Sequence, residues 1–244
     1  MERDAFALMA EAEANHWWFR GRRAFIAATL KRIGVPRDAM ILDAGCGSGG
    51  NLPLLAQFGH VHGFEFDRNA MECARARGIG TIASGWLPDG VPDFADVSQF
   101  DVIGLFDVLE HLSKPVESLR VLATRLAPGG AIVITVPALP VLWGPHDVTH
   151  QHVRRYTRRM FRAHIEEAGL RVEYLTGINL LLLPLAVLQR LRERMLGYRP
   201  ADLIPSPFLN QLLFRILRCE LRWLPRRTLP LGLSLLAIVR RETA

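Results

Sequence analysis

The segment Ile41-Leu42-Asp43-Ala44-Gly45-Cys46-Gly47-Ser48-Gly49-Gly50 constrains this chain most, because it carries a buried strand straight into a glycine-rich turn. Glycine tolerates positive φ and has no Cβ. Gly45, Gly47 and Gly49 therefore let the main chain fold tightly while a ligand packs against bare backbone.

After this turn, apolar strand candidates alternate with helical stretches. The strands are 40–43, 61–65, 81–83, 102–106, 131–136 and 171–175, and the helices are 51–58, 69–77, 115–126 and 157–168. Near-continuous apolar strands separated by helices predict an α/β fold, with a doubly wound, mostly parallel seven-stranded sheet covered on both faces. A helical leader over 1–35, a core over 36–177, an insert over 178–229 and a final core strand over 230–244 complete the predicted organisation. The insert holds an apolar run, 178–188, that Pro184 should kink. It also holds a basic amphipathic helix over 208–224. Two uses stay open for the insert: packing on the core, or contact of 178–224 with a membrane surface or acyl chain.

The chain has 244 residues and a net charge of +6. Residues 1–150 hold 13 basic and 17 acidic residues, net −4, whereas 151–244 hold 17 and 7, net +10. The basicity is thus C-terminal and nearly all arginine, which favours bidentate contact with phosphate or carboxylate. These arginines alternate with leucines in helical patterns and are read as lacking interleaved exposed aromatics, and no base-flipping Asn-Pro-Pro-Tyr motif follows the fourth strand, so nucleic acid is an unfavoured partner. Cys46, Cys73 and Cys219 are odd in number and widely spaced, which predicts a reducing, cytoplasmic setting. No signal peptide is predicted from Met1-Glu2-Arg3-Asp4, and no apolar run reaches the roughly 20 residues needed to span a bilayer.

Gly45, Gly47 and Gly50 also form a G-x-G-x-x-G, so a dinucleotide and S-adenosylmethionine (SAM) compete for the turn. Asp43 separates them: a carboxylate there opposes a pyrophosphate but suits the ammonium of a methionine. Glu65, ending the second strand, can accept both ribose hydroxyls.

Four segments in order, ILDAGCGSGG, GFEFD, FDVIGLFDVLEHL and LAPGGAIVITVP, resemble the motifs of class I SAM-dependent methyltransferases. The resemblance implies SAM as cofactor, with Asp43, Gly45, Cys46, Gly47 and Gly49 around the methionine portion, Glu65 on the ribose and Phe66 on the adenine. Many relatives place an acid after the third strand. This chain has Ala83-Ser84-Gly85-Trp86-Leu87 there, so Ser84 is the candidate to replace it. Outside the core, HWWFRGRRAFI, LWGPHDVTHQHVRRYTRRMF and LPLGLSLLAIVRR are similar to a bacterial methyltransferase group related to the ubiquinone-pathway O-methyltransferases, which implies a small-molecule or lipid-linked acceptor.

Methyl transfer from a sulfonium needs chiefly positioning, with a base only for a nucleophile that holds its proton firmly. Asp107, Glu110 and His111 follow the fourth strand; Asp107 is assigned to the cofactor, Glu110 to structural hydrogen bonding and His111 to proton abstraction. His111 can equally well hold a helix start. In the loop after the fifth strand, His152 and Tyr156 are assigned to the acceptor. Arg154 or Arg155 would answer a negative group on it. The spacing of His146, Asp147, His150 and His152 matches no established closed ligand pattern, so no metal is expected. A SAM-binding, membrane-docking protein without turnover and an NAD-type oxidoreductase are the rival functions.

Overall fold

The computed structural model describes residues 13–196, 205–224 and 227–242. Its sheet comprises β1 (Ala39–Ala44), β2 (Gly59–Glu65), β3 (Thr81–Ser84), β4 (Phe100–Phe106), β5 (Leu126–Pro137), β6 (Leu170–Ile178) and β7 (Ser234–Arg241), in the order β3-β2-β1-β4-β5-β7-β6. β1 to β5 pair in parallel, whereas β7 runs antiparallel to both β5 and β6. The doubly wound, mostly parallel seven-stranded sheet is as the sequence predicts. Chain direction across the sheet reverses between β1 and β4, which opens a crevice at their carboxyl ends, where open α/β sheets take ligands.

The helices are α1 (Trp17–Ile33), α2 (Leu52–Leu55), α3 (Arg68–Ala76), α4 (Pro115–Thr124), α5 (Pro145–Thr149), α6 (Arg158–Glu167), α7 (Leu183–Leu196) and α8 (Pro207–Cys219). Strand alternation sends Ile103, Leu105, Ile132 and Ile134 to one face, where Leu119 and Leu122 of α4 and Phe161 and Ile165 of α6 cover them. Val102, Phe106 and Val133 point to the other face, under Ile26 and Leu30 of α1 and Leu52 and Leu55 of α2. Each such fully buried side chain contributes about 1.5–3 kcal/mol of transfer free energy. Both faces are thereby covered by helices, and the crevice at the carboxyl ends of the strands stays free of that packing.

The leader helix starts on His16, whose side chain accepts from Trp18 N, and stops at Gly34 in the left-handed conformation (φ 72°). Thr157 caps α6 as its sequence suggests, accepting from Met160 N at 3.1 Å. The insert departs from expectation. β6 extends to Ile178, and Pro184 lies in the first turn of α7, where a missing N–H costs nothing, so it opens a helix instead of kinking one. The amphipathic helix over 208–224 resolves into α8 and a short 3-10 turn at Glu220–Arg222. Leu213 and Leu217 of α8 are buried, the latter against Gly21 of α1, where a Cβ would stand 2.0 Å from Leu217 Cδ2. That face therefore packs on the leader. By contrast, α7 buries none of its residues.

Candidate active site at the carboxyl end of the sheet

The glycine turn adopts the conformation that only glycine reaches cheaply, with φ of 76° at Gly45, 55° at Gly47 and 79° at Gly49. The amides of Gly45 and Cys46 both donate to Phe64 O at 3.0 Å, which ties the turn to β2. Glu65 strengthens the tie: its Oε2 accepts from Gly47 N at 2.8 Å, and its Oε1 from the amides of Phe66 and Asp67 at 2.9 Å. A Cβ at Gly45 would press on Val108 and one at Gly49 on Leu52, but at Gly47 it would meet nothing within 4 Å. Gly47 thus presents bare backbone to open space. Cys46 turns inward, and burial pushes its thiol well above the usual range, so it offers no thiolate.

Asp43 is 1% exposed, and its Oδ2 has no hydrogen-bond partner. Burial raises its pKa to about 7, against the pull of Arg22, while Glu65 adds a further push upward. Arg22 reaches this corner from α1: its guanidinium pairs with Asp107 at 2.8 Å and donates to Phe106 O at 2.6 Å. Its Nε is buried and unpartnered. Asp107 is held at φ 53°, accepting from Thr135 Oγ1 at 3.0 Å while its amide donates to Thr135 O at 3.0 Å. Arg22 was missed by motif reading, although a signal exists. It interrupts the helical stripe of Trp18, Phe25, Ile26 and Thr29, and a charge on a core-facing stripe needs a partner.

These groups fit SAM. The orphaned Asp43 carboxylate suits an ammonium, the partly buried guanidinium of Arg22 suits a carboxylate, and Glu65 keeps lone pairs for a ribose. Phe66 is 76% exposed, and Trp86 and Ser84 are exposed nearby on the β3 side, Ser84 in register with Glu65. An aromatic left open at this edge can take an adenine face.

The loop after β5 builds a second polar cluster. Asp147 is fully buried in α5 and accepts from Gly144 N at 2.9 Å and Arg155 Nε at 2.7 Å, with His152 Nδ1 at 2.9 Å. The guanidinium and the imidazole hold its pKa far below the usual carboxylate range against the cost of burial. His152 stacks edge-on with His111, ring centres 4.8 Å apart. Partial desolvation and the neighbouring His152 lower the pKa of His111, which keeps that imidazole neutral near pH 7. Val153 N donates to Glu110 O at 2.9 Å and so brings the loop against the end of β4.

Two assignments change. Tyr156 does not face an acceptor: it is 0% exposed within the core, with its hydroxyl 3.4 Å from Leu109 O, because its amide and carbonyl pair with Pro137 O and Leu139 N and turn the ring inward. Glu110 is not a hydrogen-bonded structural acid. It is 0% exposed, neither carboxylate oxygen has a partner, and burial raises its pKa well above the usual range, with Asp107 adding to the effect.

One helix of the insert, α7, is fastened at the same end. Arg190 Nε donates to Leu142 O at 3.0 Å and Arg194 to Val141 O at 2.7 Å, which fastens α7 to the loop that carries His152. Leu185, Leu188, Leu191 and Met195 of α7 remain exposed.

Residues 18–175 match the family model described as a methyltransferase domain. A ubiquinone biosynthesis O-methyltransferase of Xanthomonas axonopodis is 24% identical over 206 residues, 72% of this chain and 83% of that protein. A Mycolicibacterium smegmatis protein, described as an S-adenosylmethionine-dependent methyltransferase, is 27% identical over 176 residues, 68% of this chain and 64% of the relative. Among solved structures, the methyltransferase complexed with the Trm112 activator in Haloferax volcanii superposes with a TM-score of 0.63 over 99% of this chain and 96% of its own, at 19% identity. An NAD-type oxidoreductase is thereby set aside. With a family match over residues 18–175, most of its length, the chain belongs to the methyltransferases that draw their methyl group from S-adenosylmethionine.

Proposed function

We propose that the enzyme methylates an oxygen of a small-molecule or lipid-linked acceptor that it meets at a membrane surface. The observation that carries this reading is the attachment of the exposed apolar helix α7 to the loop bearing His152, through Arg190 and Arg194. Apolar side chains edged by arginine suit an acyl or prenyl chain beneath anionic headgroups. Its relative named for ubiquinone biosynthesis supports an acceptor of that kind.

In this reading Asp43, Arg22 and the Gly45–Gly49 turn hold the methionine end of the donor, Glu65 the ribose, and Phe66 with Ser84 the adenine. Asp107 keeps Arg22 in place. Since the sulfonium is already activated, positioning supplies most of the acceleration. His111, neutral near pH 7, and His152 stand on the acceptor side, where a hydroxyl nucleophile can pass its proton.

Incubation with methyl-labelled donor and a lysate, followed by separation of lipid, polar-metabolite, protein and nucleic-acid pools, tests the proposal. Label in the lipid or small-molecule pool supports it; label in protein or nucleic acid refutes it. Donor binding with no labelled product in any pool would favour the alternative of a SAM-binding, membrane-docking protein without turnover. Among the described residues no helix is long and apolar enough to cross a membrane, so the expected attachment is peripheral.

A further inference from the structure

We infer that Glu110, His111 and His152 form a binding site for one divalent transition-metal cation. One ligand atom from each of the three lies within 4.8 Å of the others. Donors around an ion with bonds of roughly 2.1 Å stand at most about 4.2 Å apart, so modest side-chain closure completes the set. Sequence spacing does not show this site, because its ligands come from the end of β4 and from the loop after β5.

The carboxylate supplies an independent argument. Glu110 is fully buried, and both of its oxygens lack hydrogen-bond partners. Buried carboxylates are paired, coordinate a metal, or take up a proton. The groups facing Glu110 are the two imidazoles, Asp107, Arg22, Arg155 and Tyr156, yet the tyrosine hydroxyl donates to Leu109 O and both arginines have other carboxylates to serve: Arg22 pairs with Asp107 and Arg155 with Asp147. A cation among the three side chains gives Glu110 the missing partner.

His152 is oriented for ligation. Asp147 Oδ1 stands 2.9 Å from its Nδ1, which places the proton there and leaves Nε2 as a free lone pair. That carboxylate–histidine arrangement is how metal-bound imidazoles are commonly fixed. Two imidazoles and one carboxylate, with His111 exposed and positions left for water or an acceptor oxygen, suit zinc, iron, cobalt or manganese better than calcium or magnesium. A bound ion would lower the pKa of an acceptor hydroxyl, with the imidazoles acting as ligands instead of bases. The site itself does not depend on the proposed acceptor.

The test uses Co²⁺ alone, without methyl donor, on chelator-treated full-length protein, followed by equilibrium dialysis and visible absorption. One equivalent should bind with the bands of a coordinated ion, and Glu110→Gln and His152→Ala should each weaken binding at least about 10-fold while SAM affinity and circular dichroism persist. Absence of binding, or binding unchanged in both variants and lost in a His146→Ala/His150→Ala variant, would overturn the inference. Should Glu110→Gln fail to fold, proton NMR of the Co²⁺-loaded wild-type protein decides. A hyperfine-shifted, slowly exchanging Nδ1–H of His152 is expected, and its absence refutes ligation. Because the readout is metal binding and not methyl transfer, failure here leaves the proposed function standing.

Discussion

Buried Asp147 and partly buried His152 form a pair, with the carboxylate oxygen 2.9 Å from Nδ1 of the imidazole and a second bond to Asp147 from Arg155 at 2.7 Å. The pair fixes which ring nitrogen of His152 carries the proton. Asp147→Asn should reverse or randomise that tautomer. Turnover is expected to fall about 10–100-fold, the scale of losing an orienting carboxylate behind a histidine, with donor affinity retained. Steady-state kinetics together with nitrogen-15 NMR of the imidazole checks this.

Donor binding should depend on pH through Asp43. Its pKa is raised to about 7 by burial, so below that pH the carboxyl is protonated and offers an ammonium no countercharge. SAM affinity should therefore rise with pH through about 7 and level off above it, and binding near neutrality should release a proton. Calorimetry in buffers of different ionisation enthalpy measures that release; an affinity that stays flat from pH 5.5 to 8 would contradict the placement of Asp43.

At Gly47 the backbone conformation and the open face make separate demands. Its φ of 55° costs an L residue about 1–2 kcal/mol, and a β-branched side chain more. Gly47→Val should abolish donor binding, because its methyls enter the space above the turn. Gly47→Ala should keep the fold at reduced stability and bind the donor weakly. Comparison of SAM titrations with denaturant midpoints separates the two effects.

Arg22→Ala should lower SAM affinity by at least about 10-fold, since a charge-assisted contact with the donor's carboxylate is worth about 1.5–3 kcal/mol. Lysine should recover part of it, reaching the same region with a point charge but not with a fork. Equilibrium dialysis of the three proteins is sufficient.

Motif reading was strongest where backbone geometry leaves a residue signature. The glycine turn, Glu65 ending β2 and Thr157 capping α6 each use a residue type suited to a local conformation, so they were legible one segment at a time. Tyr156, Glu110 and Arg22 were not. Whether a tyrosine after β5 faces solvent depends on how Ala138 and Leu139 pair with it, and the isolation of Glu110 arises only when Val153 brings a distant loop over it. Pro184 was misread for a related reason. The same ring kinks a helix interior or opens a first turn, and only the length of β6 decides between them.

Another prediction concerns α8. Since a Cβ at Gly21 would stand 2.0 Å from Leu217 Cδ2, Gly21→Val should overpack this helix contact and destabilise the protein by about 1–3 kcal/mol. Urea unfolding of Gly21→Val with and without Leu217→Ala, which removes the side chain that the new Cβ would meet, shows whether the loss comes from packing.

Neighbouring positions on α1 look in two directions. Gly21 seats Leu217 of α8, and Arg22 grips Asp107 at the end of β4. Farther along, Glu220 accepts the amides of Asn179 and Leu181 at 2.7 and 2.8 Å, so the end of α8 also anchors the chain as it leaves β6. The leader is in effect a keystone between the donor corner and the C-terminal third, touching each through adjacent residues. A fragment that kept all four motif segments but stopped short of residue 207 would retain every recognisable signature and lose the abutment that steadies Arg22.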